Sequence, residues 1–204
     1  MLLYGASGHA KVIIDCLESQ MISVTGIFDD DLSKKELLGY KVLGTYNPNY
    51  LPNEQIIISI GENEIRKELS KIMRHKFASV HHISAAISKN VISGEGTVIF
   101  HKSILQSSVK VGNHVIINTA ASVDHDCIID NFAHIAPNAT VCGNVKIGEG
   151  THIGAAAIII PNITIGKWCK IGAGAVIIKD VPDYSVVVGN PGRIIKTINA
   201  KEIR

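Results

Sequence analysis

Histidine is the side chain with the most varied chemistry in this sequence, and nine are present: His9, His75, His81, His82, His101, His114, His125, His134 and His152. An imidazole titrates near about pH 6.5, so at neutral pH most of it is uncharged and ready to accept a proton. One of the nine is set apart by its neighbours, because His125 stands between Asp124 and Asp126 in the run VDHDC. A carboxylate on one ring nitrogen fixes the tautomer and stabilises the imidazolium, leaving the other nitrogen free to deprotonate an amine or hydroxyl that attacks an acyl carbon. His101, His114 and His152 lack such company and read as ordinary surface residues.

A second constellation lies near the start. Gly5-Ala6-Ser7-Gly8-His9 follows a short apolar run and precedes an amphipathic one. A glycine-rich turn that opens a helix presents free backbone N–H groups and the positive end of the helix dipole to phosphate. Asp29 and Asp30, which end the next apolar run, suit a ribose or base. The turn has only Gly5 and Gly8, followed by His9 and Ala10, so the G-x-G-x-x-G pattern of redox dinucleotide sites is absent.

The elements that must position these groups are of two kinds. From Ile87 to Ile177 every sixth residue is aliphatic except Ser93, without an insertion or deletion. Four places after each stands a small or β-branched residue, from Val91 and Thr97 through Ala133 and Ala139 to Val181. Such a unit is a short strand with two inward side chains and a corner, and three units close one triangular coil. Coils of this kind bury their inward residues only by stacking, so the repeat predicts a parallel solenoid. The position just after the aliphatic one is often glycine, as at Gly112, Gly148, Gly154, Gly166 and Gly172, which suits a corner needing positive φ or a close approach. By this phase His125 lies two places after inward-facing Val123 and projects outward.

Residues 1–82 lack the hexad. Strands over 2–4, 24–28 and 56–60 alternate with helices over 10–18 and 63–75, which predicts a small parallel sheet of Rossmann-like βαβ type. The expected organisation is therefore an α/β domain over 1–82, a β-helix over 83–190 and a C-terminal cap or tail over 191–204.

Composition excludes several classes. Twenty basic and 18 acidic residues are scattered without a run, so a chain of net charge +2 offers no basic stripe for nucleic acid. No apolar run approaches the roughly 20 residues of a bilayer span. The N-terminus carries no basic region or cleavage site of a signal peptide, and Cys16, Cys127, Cys142 and Cys169 lack CxxC or metal spacing, so a cytoplasmic location and no bound metal are expected.

Four segments together, YGASGH near the start, IGENEIR at 60–66, VDHDC around His125 and VVVGNPGRIIK near the end, resemble the hexapeptide-repeat sugar O-/N-acetyltransferases, the branch with sialic acid O-acetyltransferases and the bacillosamine and perosamine N-acetyltransferases. The resemblance implies a left-handed parallel β-helix, a homotrimer with active sites between protomers, and acetyl-CoA as co-substrate. It implies His125 as general base and Asp126 as the group that raises its basicity. It further implies His134, Gly143, Ala155 and Ala173 as acetyl-CoA contacts, with Gly143 N–H as an oxyanion donor. Ser7, Gly8, His9, Ala10, Asp29, Asp30 and Gly61 are implied as contacts to a UDP- or GDP-linked sugar. The acceptor expected is the amine of a 4-amino-4,6-dideoxy sugar for surface glycan synthesis. Sialic acid O-acetylation and a non-catalytic nucleotide-sugar-binding partner of a sugar synthase are the alternatives, and a β-helical carbonic anhydrase is disfavoured by the N-terminal domain and the VDHDC run.

Overall fold

The computed structural model describes residues 1–198; positions 199–204 of the expected tail lie outside the described residues. The N-terminal unit runs β1 (Leu2–Tyr4), α1 (Gly8–Ser19), β2 (Gly26–Phe28), β3 (Glu36–Leu37), β4 (Tyr40–Gly44), β5 (Ile56–Ile58) and α2 (Asn63–Ile72). Its sheet has the order β3-β4-β2-β1-β5. β1 pairs in parallel with β2 on one edge and β5 on the other, and its Leu-Leu-Tyr run is buried throughout because Leu3 packs into one apolar cluster and Leu2 and Tyr4 into another. α1 buries Ala10, Ile13, Ile14 and Leu17, the spacing of one helical face. The β3–β4 hairpin, which the apolar pattern does not announce, adds an antiparallel edge to the otherwise parallel sheet.

The hexads form the solenoid. Its three faces are parallel sheets: face I from Ala86–Ile87 to Val176–Ile177, face II from Ile92–Ser93 to Thr164–Ile165, and face III from Val80–His81 to Lys170–Ile171. The chain visits I, II and III in turn, and each residue stacks on the one 18 later, as Asn113 on Asn131. The inward positions are buried from Ile99 to Ile177, and each buried Val, Leu or Ile among them stabilises the fold by roughly 1.5–3 kcal/mol relative to exposure. Ser93, the break in the series, lies in the open first coil, where its strand is exposed.

The corner glycines answer the question their spacing raised. The left-handed positions are three places after the aliphatic residue, among them His114, Asp126, Phe132, Asn144 and Trp168. Gly112 and Gly148 serve close approach instead: a Cβ at Gly112 would lie 2.7 Å from the Asn131 nitrogen, and one at Gly148 would lie 2.6 Å from the Gly166 carbonyl carbon.

The N-terminal unit rests on face III, where Val98, Ile116 and Phe100 share one apolar cluster with Ile13, Leu17 and Ala78. Strand Ser185–Val188 extends face III, and Arg193–Thr197 folds back on it antiparallel, covering the end of the stack. All four cysteines are free thiols. Among the described residues no helix is long and apolar enough to cross a membrane.

Candidate active site

β1 delivers the chain to Gly5, whose φ of +107° turns it into α1. Ser7 precedes the helix with no side-chain cap bond, and Ser7 and Gly8 are exposed, so the first N–H groups of α1 face outward. Ala10, one turn on, is fully buried and packs the helix instead. Asp29 fastens the turn: its carboxylate accepts from Ala6 N (2.6 Å), Asp31 N (2.9 Å) and Lys34 Nζ (2.9 Å). Burial would raise its pKa, but these three bonds outweigh it and hold the carboxyl below the ordinary range. Asp30 is exposed and accepts from the Tyr4 hydroxyl at 2.6 Å. Tyr4, Ser7, Asp29, Asp30 and Lys34 line a cavity of 330 Å³.

A larger cavity of 520 Å³ adjoins it, sharing Ser7 and Ile60, and continues over Gly61, Glu62, His134, His152 and Lys170. His134 projects outward from face III between the two units and is 9% exposed. Asn118 Oδ1 accepts from Thr119 N (2.8 Å), so its Nδ2 donates to His134 Nε2 (3.0 Å), and Gly61 lines the cavity beside the ring. Burial, then the charges of His152, Arg66 and His9, push its pKa well below the usual imidazole value, and the ring is neutral. His152 meets it edge-on at 4.8 Å between centroids. His9, on α1, packs against Phe100 with its Nε2 buried and without a partner; burial and then Arg66 lower its pKa to about 4.

His125 occupies a different setting, the corner between faces I and II. Its side chain is 60% exposed, Nδ1 lies 2.8 Å from Asp126 Oδ2, and its backbone N–H donates to Asp124 Oδ1 at 2.8 Å. The ring thus belongs to Asp126, and Asp124 holds the main chain. The Asp126 hydrogen bond, followed by the Asp124 charge, raises the His125 pKa. Asp126 reaches the ring from a left-handed residue, φ +60°, a conformation Asp tolerates better than most. One rung on lies Gly143, where a Cβ would stand 2.8 Å from His125 Nε2 and Cε1, so only glycine lets the ring lie there. The Gly143 carbonyl accepts from Asn162 N at 3.0 Å, while its N–H takes no protein partner among the described residues.

These positions fall at three places around the coil. His125, Asp126 and Gly143 share the I/II corner, His134 stands on face III where Gly61 of the N-terminal unit lines the same cavity, and Ala155 and Ala173 are exposed at the III/I corner on successive rungs. In a three-sided coil the I/II corner is opposite face III, so His125 and His134 of one chain face away from each other.

Two surface expectations need correction. His114 is not a surface residue: it is 3% exposed, clamped between Phe77 and Phe132, and burial followed by Arg66 lowers its pKa to about 4. His152 lines the larger cavity. His101 is only partly exposed and stacks on His82 at 3.7 Å. Neither Asn118 nor the buried role of Arg66, the last residue of the 60–66 run, is marked by its spacing. The outward phase of face III, in which Ile116, His134 and His152 stack, carried the signal for the two histidines.

Residues 1–73 match the family described as PglD N-terminal domain, and residues 144–179 match the bacterial transferase hexapeptide family. A perosamine N-acetyltransferase variant from Caulobacter crescentus, solved with CoA and GDP-perosamine, superposes with a TM-score of 0.92 at 31% identity over 96% of each chain. The chain belongs to the hexapeptide-repeat sugar acetyltransferases. Another member, the acetyltransferase domain of PglB from Neisseria gonorrhoeae with acetyl coenzyme A, gives a TM-score of 0.88 at 34% identity, covering 95% of this chain and 98% of that one. The UDP-N-acetylbacillosamine N-acetyltransferase of Bacillus subtilis is 35% identical over 48% of this chain and 49% of its own length. An uncharacterized mimivirus protein, L142, is 33% identical over 50% of this chain and 22% of its own. The match thus spans about half or less of these two curated relatives. Family membership brings with it the left-handed β-helix that periodicity alone leaves without a hand.

Proposed function

We propose that the protein transfers the acetyl group of acetyl-CoA to the amino group of a nucleotide-linked 4-amino-4,6-dideoxy sugar. The observation that carries this reading is the His125–Asp126 pair: an exposed imidazole, one nitrogen held by a carboxylate at 2.8 Å and the other open above Gly143. Full-length similarity to a structure holding both CoA and GDP-perosamine supplies the substrate class.

In this account His125 Nε2 takes a proton from the amine as its nitrogen attacks the thioester carbon. Asp126 stabilises the imidazolium that forms. The Gly143 N–H accommodates the oxyanion, and the imidazolium returns its proton to the departing CoA thiolate. Ser7, Gly8 and the first turn of α1 hold the diphosphate, Asp30 faces the ribose or base, and Asp29 keeps the turn in shape. Gly61 and His134 border the sugar and thioester. Ala155 and Ala173 flank the pantetheine arm.

Because His125 and His134 face opposite ways in one chain, the complete site takes the I/II corner of one protomer and face III with the III/I corner of the next. A cyclic homotrimer provides three such grooves. Nucleotide-linked amino sugars are made in the cytoplasm, which is the location proposed.

Incubating the protein with acetyl-CoA and UDP- or GDP-linked 4-amino-4,6-dideoxy sugars, with thiol release as readout, tests the reading. Rapid release with an amino sugar and none with free sialic acid is expected. Release with sialic acid alone would overturn it.

A further inference from the structure

Helix α2 packs on the solenoid in an unusual way, because the residues it buries are Asn63 and Arg66. Arg66 is 1% exposed, and among the described residues no carboxylate pairs with it at ion-pair distance. Its charge is met by oxygens instead. Nε donates to His114 O (2.8 Å), Nη1 to Ile60 O and Gly61 O (3.1 Å each), and Nη2 to Asn63 Oδ1 and Phe132 O (2.8 Å each). Asn63 Nδ2 donates to Gly150 O at 3.0 Å. His114, Phe132 and Gly150 are the left-handed residues of three successive rungs at the II/III corner, and Arg66 and Asn63 collect their carbonyls in order. On the next rung Lys67 lies 5.0 Å from the Trp168 ring.

A buried guanidinium without an anion is a costly way to dock a helix, and an apolar side chain of like volume would pack there at less expense in desolvation. What the guanidinium adds is direction. A solenoid surface repeats at each rung, about 4.8 Å apart, and apolar packing tolerates sliding along it better than a planar fork bound to five oxygens does. The same Gly61 whose carbonyl accepts from Arg66 lines one cavity with His134, so the clamp ends at that cavity.

We propose that Arg66, assisted by Asn63, is a positioning residue for acetyl transfer: it sets the rung on which the turn at 60–62 rests and thereby holds the nucleotide-sugar turn in register with His134. This rests on the acetyltransferase reading above.

Arg66→Met keeps the bulk and removes every donor, while Arg66→Lys keeps a charge without the fork. Both are expected to lower kcat by roughly 10- to 100-fold, the scale of a misplacement of about 1 Å, while the Kd values for CoA and for a nucleoside diphosphate, measured separately, stay within about twofold. A role limited to stability would lower Tm and leave kcat intact below the melting range. If Arg66→Met does not fold, Asn63→Ala decides, with the same pattern at about threefold to tenfold. Parental kcat in the folded variant, or a loss explained by weaker CoA or nucleotide binding, would overturn the proposal. Turnover of the parent is measured in the same series: a silent parent sinks the acetyltransferase reading instead. Amide exchange then decides the role of Arg66, with at least about tenfold faster exchange at 60–66 expected and unchanged exchange contradicting it.

Discussion

Two histidines of one solenoid, nine residues apart, live in opposite surroundings. His125 stands in water at the I/II corner with two aspartates beside it, and its proton affinity is raised. His134 lies under the N-terminal domain with no carboxylate on its ring, bonded to Asn118, and its affinity falls far below the usual value. The element that carries them is the same; the neighbours differ. Environments that push like groups apart in this way sort a base from a neutral hydrogen-bonding group. On the proposed mechanism His125 takes and returns the proton, whereas His134 stays neutral and orients what it touches.

The largest break in that contrast is His125→Ala, which should lower kcat/KM by about 10²- to 10⁴-fold with oligomer and nucleotide binding retained; thiol-release kinetics and equilibrium binding read it. Next, Gly143→Ala places a methyl where the imidazole lies, and we expect kcat to fall about 10- to 100-fold with Tm nearly unchanged. Asp126→Asn is milder, about tenfold, and carries a sign. If His125 is the base, as proposed, it must be unprotonated, so activity rises with pH through its pKa. Losing the carboxylate lowers that pKa, and the acid limb of kcat/KM should move to lower pH. A limb that stays put would detach Asp126 from the ring.

The smallest expected effect concerns the buried side of the contrast. His114, with a folded pKa of about 4 against an ordinary 6.5, binds fewer protons folded than unfolded in that window. Its neutral burial therefore stabilises the fold fully above about pH 6.5, and this is lost as pH falls toward about 4, by on the order of 2–3 kcal/mol. Chemical denaturation at several pH values should show the slope, and His114→Gln should flatten it.

The solenoid was legible because its interior is one-dimensional: every inward residue from Ile99 to Ile177 answers the same local rule. The outward residues obey no such rule. His114 and His152 look alike along the chain, and only the docking of the N-terminal unit makes one a clamped core residue and the other a cavity wall. That an aspartate next to His125 would hold its ring could be read because both candidates are local; the choice of Asp126 over Asp124 needed the backbone geometry of the corner. The pairing of Arg66 with carbonyls at 114 and 132 could not be read, since backbone oxygens leave no trace in the sequence. The β3–β4 hairpin escaped for a related reason: its strands are short and half exposed, so neither period stands out.

The central claim is that His125 and His134 of one site come from different protomers, and mixing two inactive variants tests it most directly. His125→Ala and His134→Ala chains, each first assayed alone to set its residual rate, are unfolded together in equal amounts and reassembled. In randomly mixed cyclic trimers one intact groove arises per mixed assembly, so about a quarter of the parental activity should return. No recovery on mixing, from variants that reassemble normally, would contradict the account.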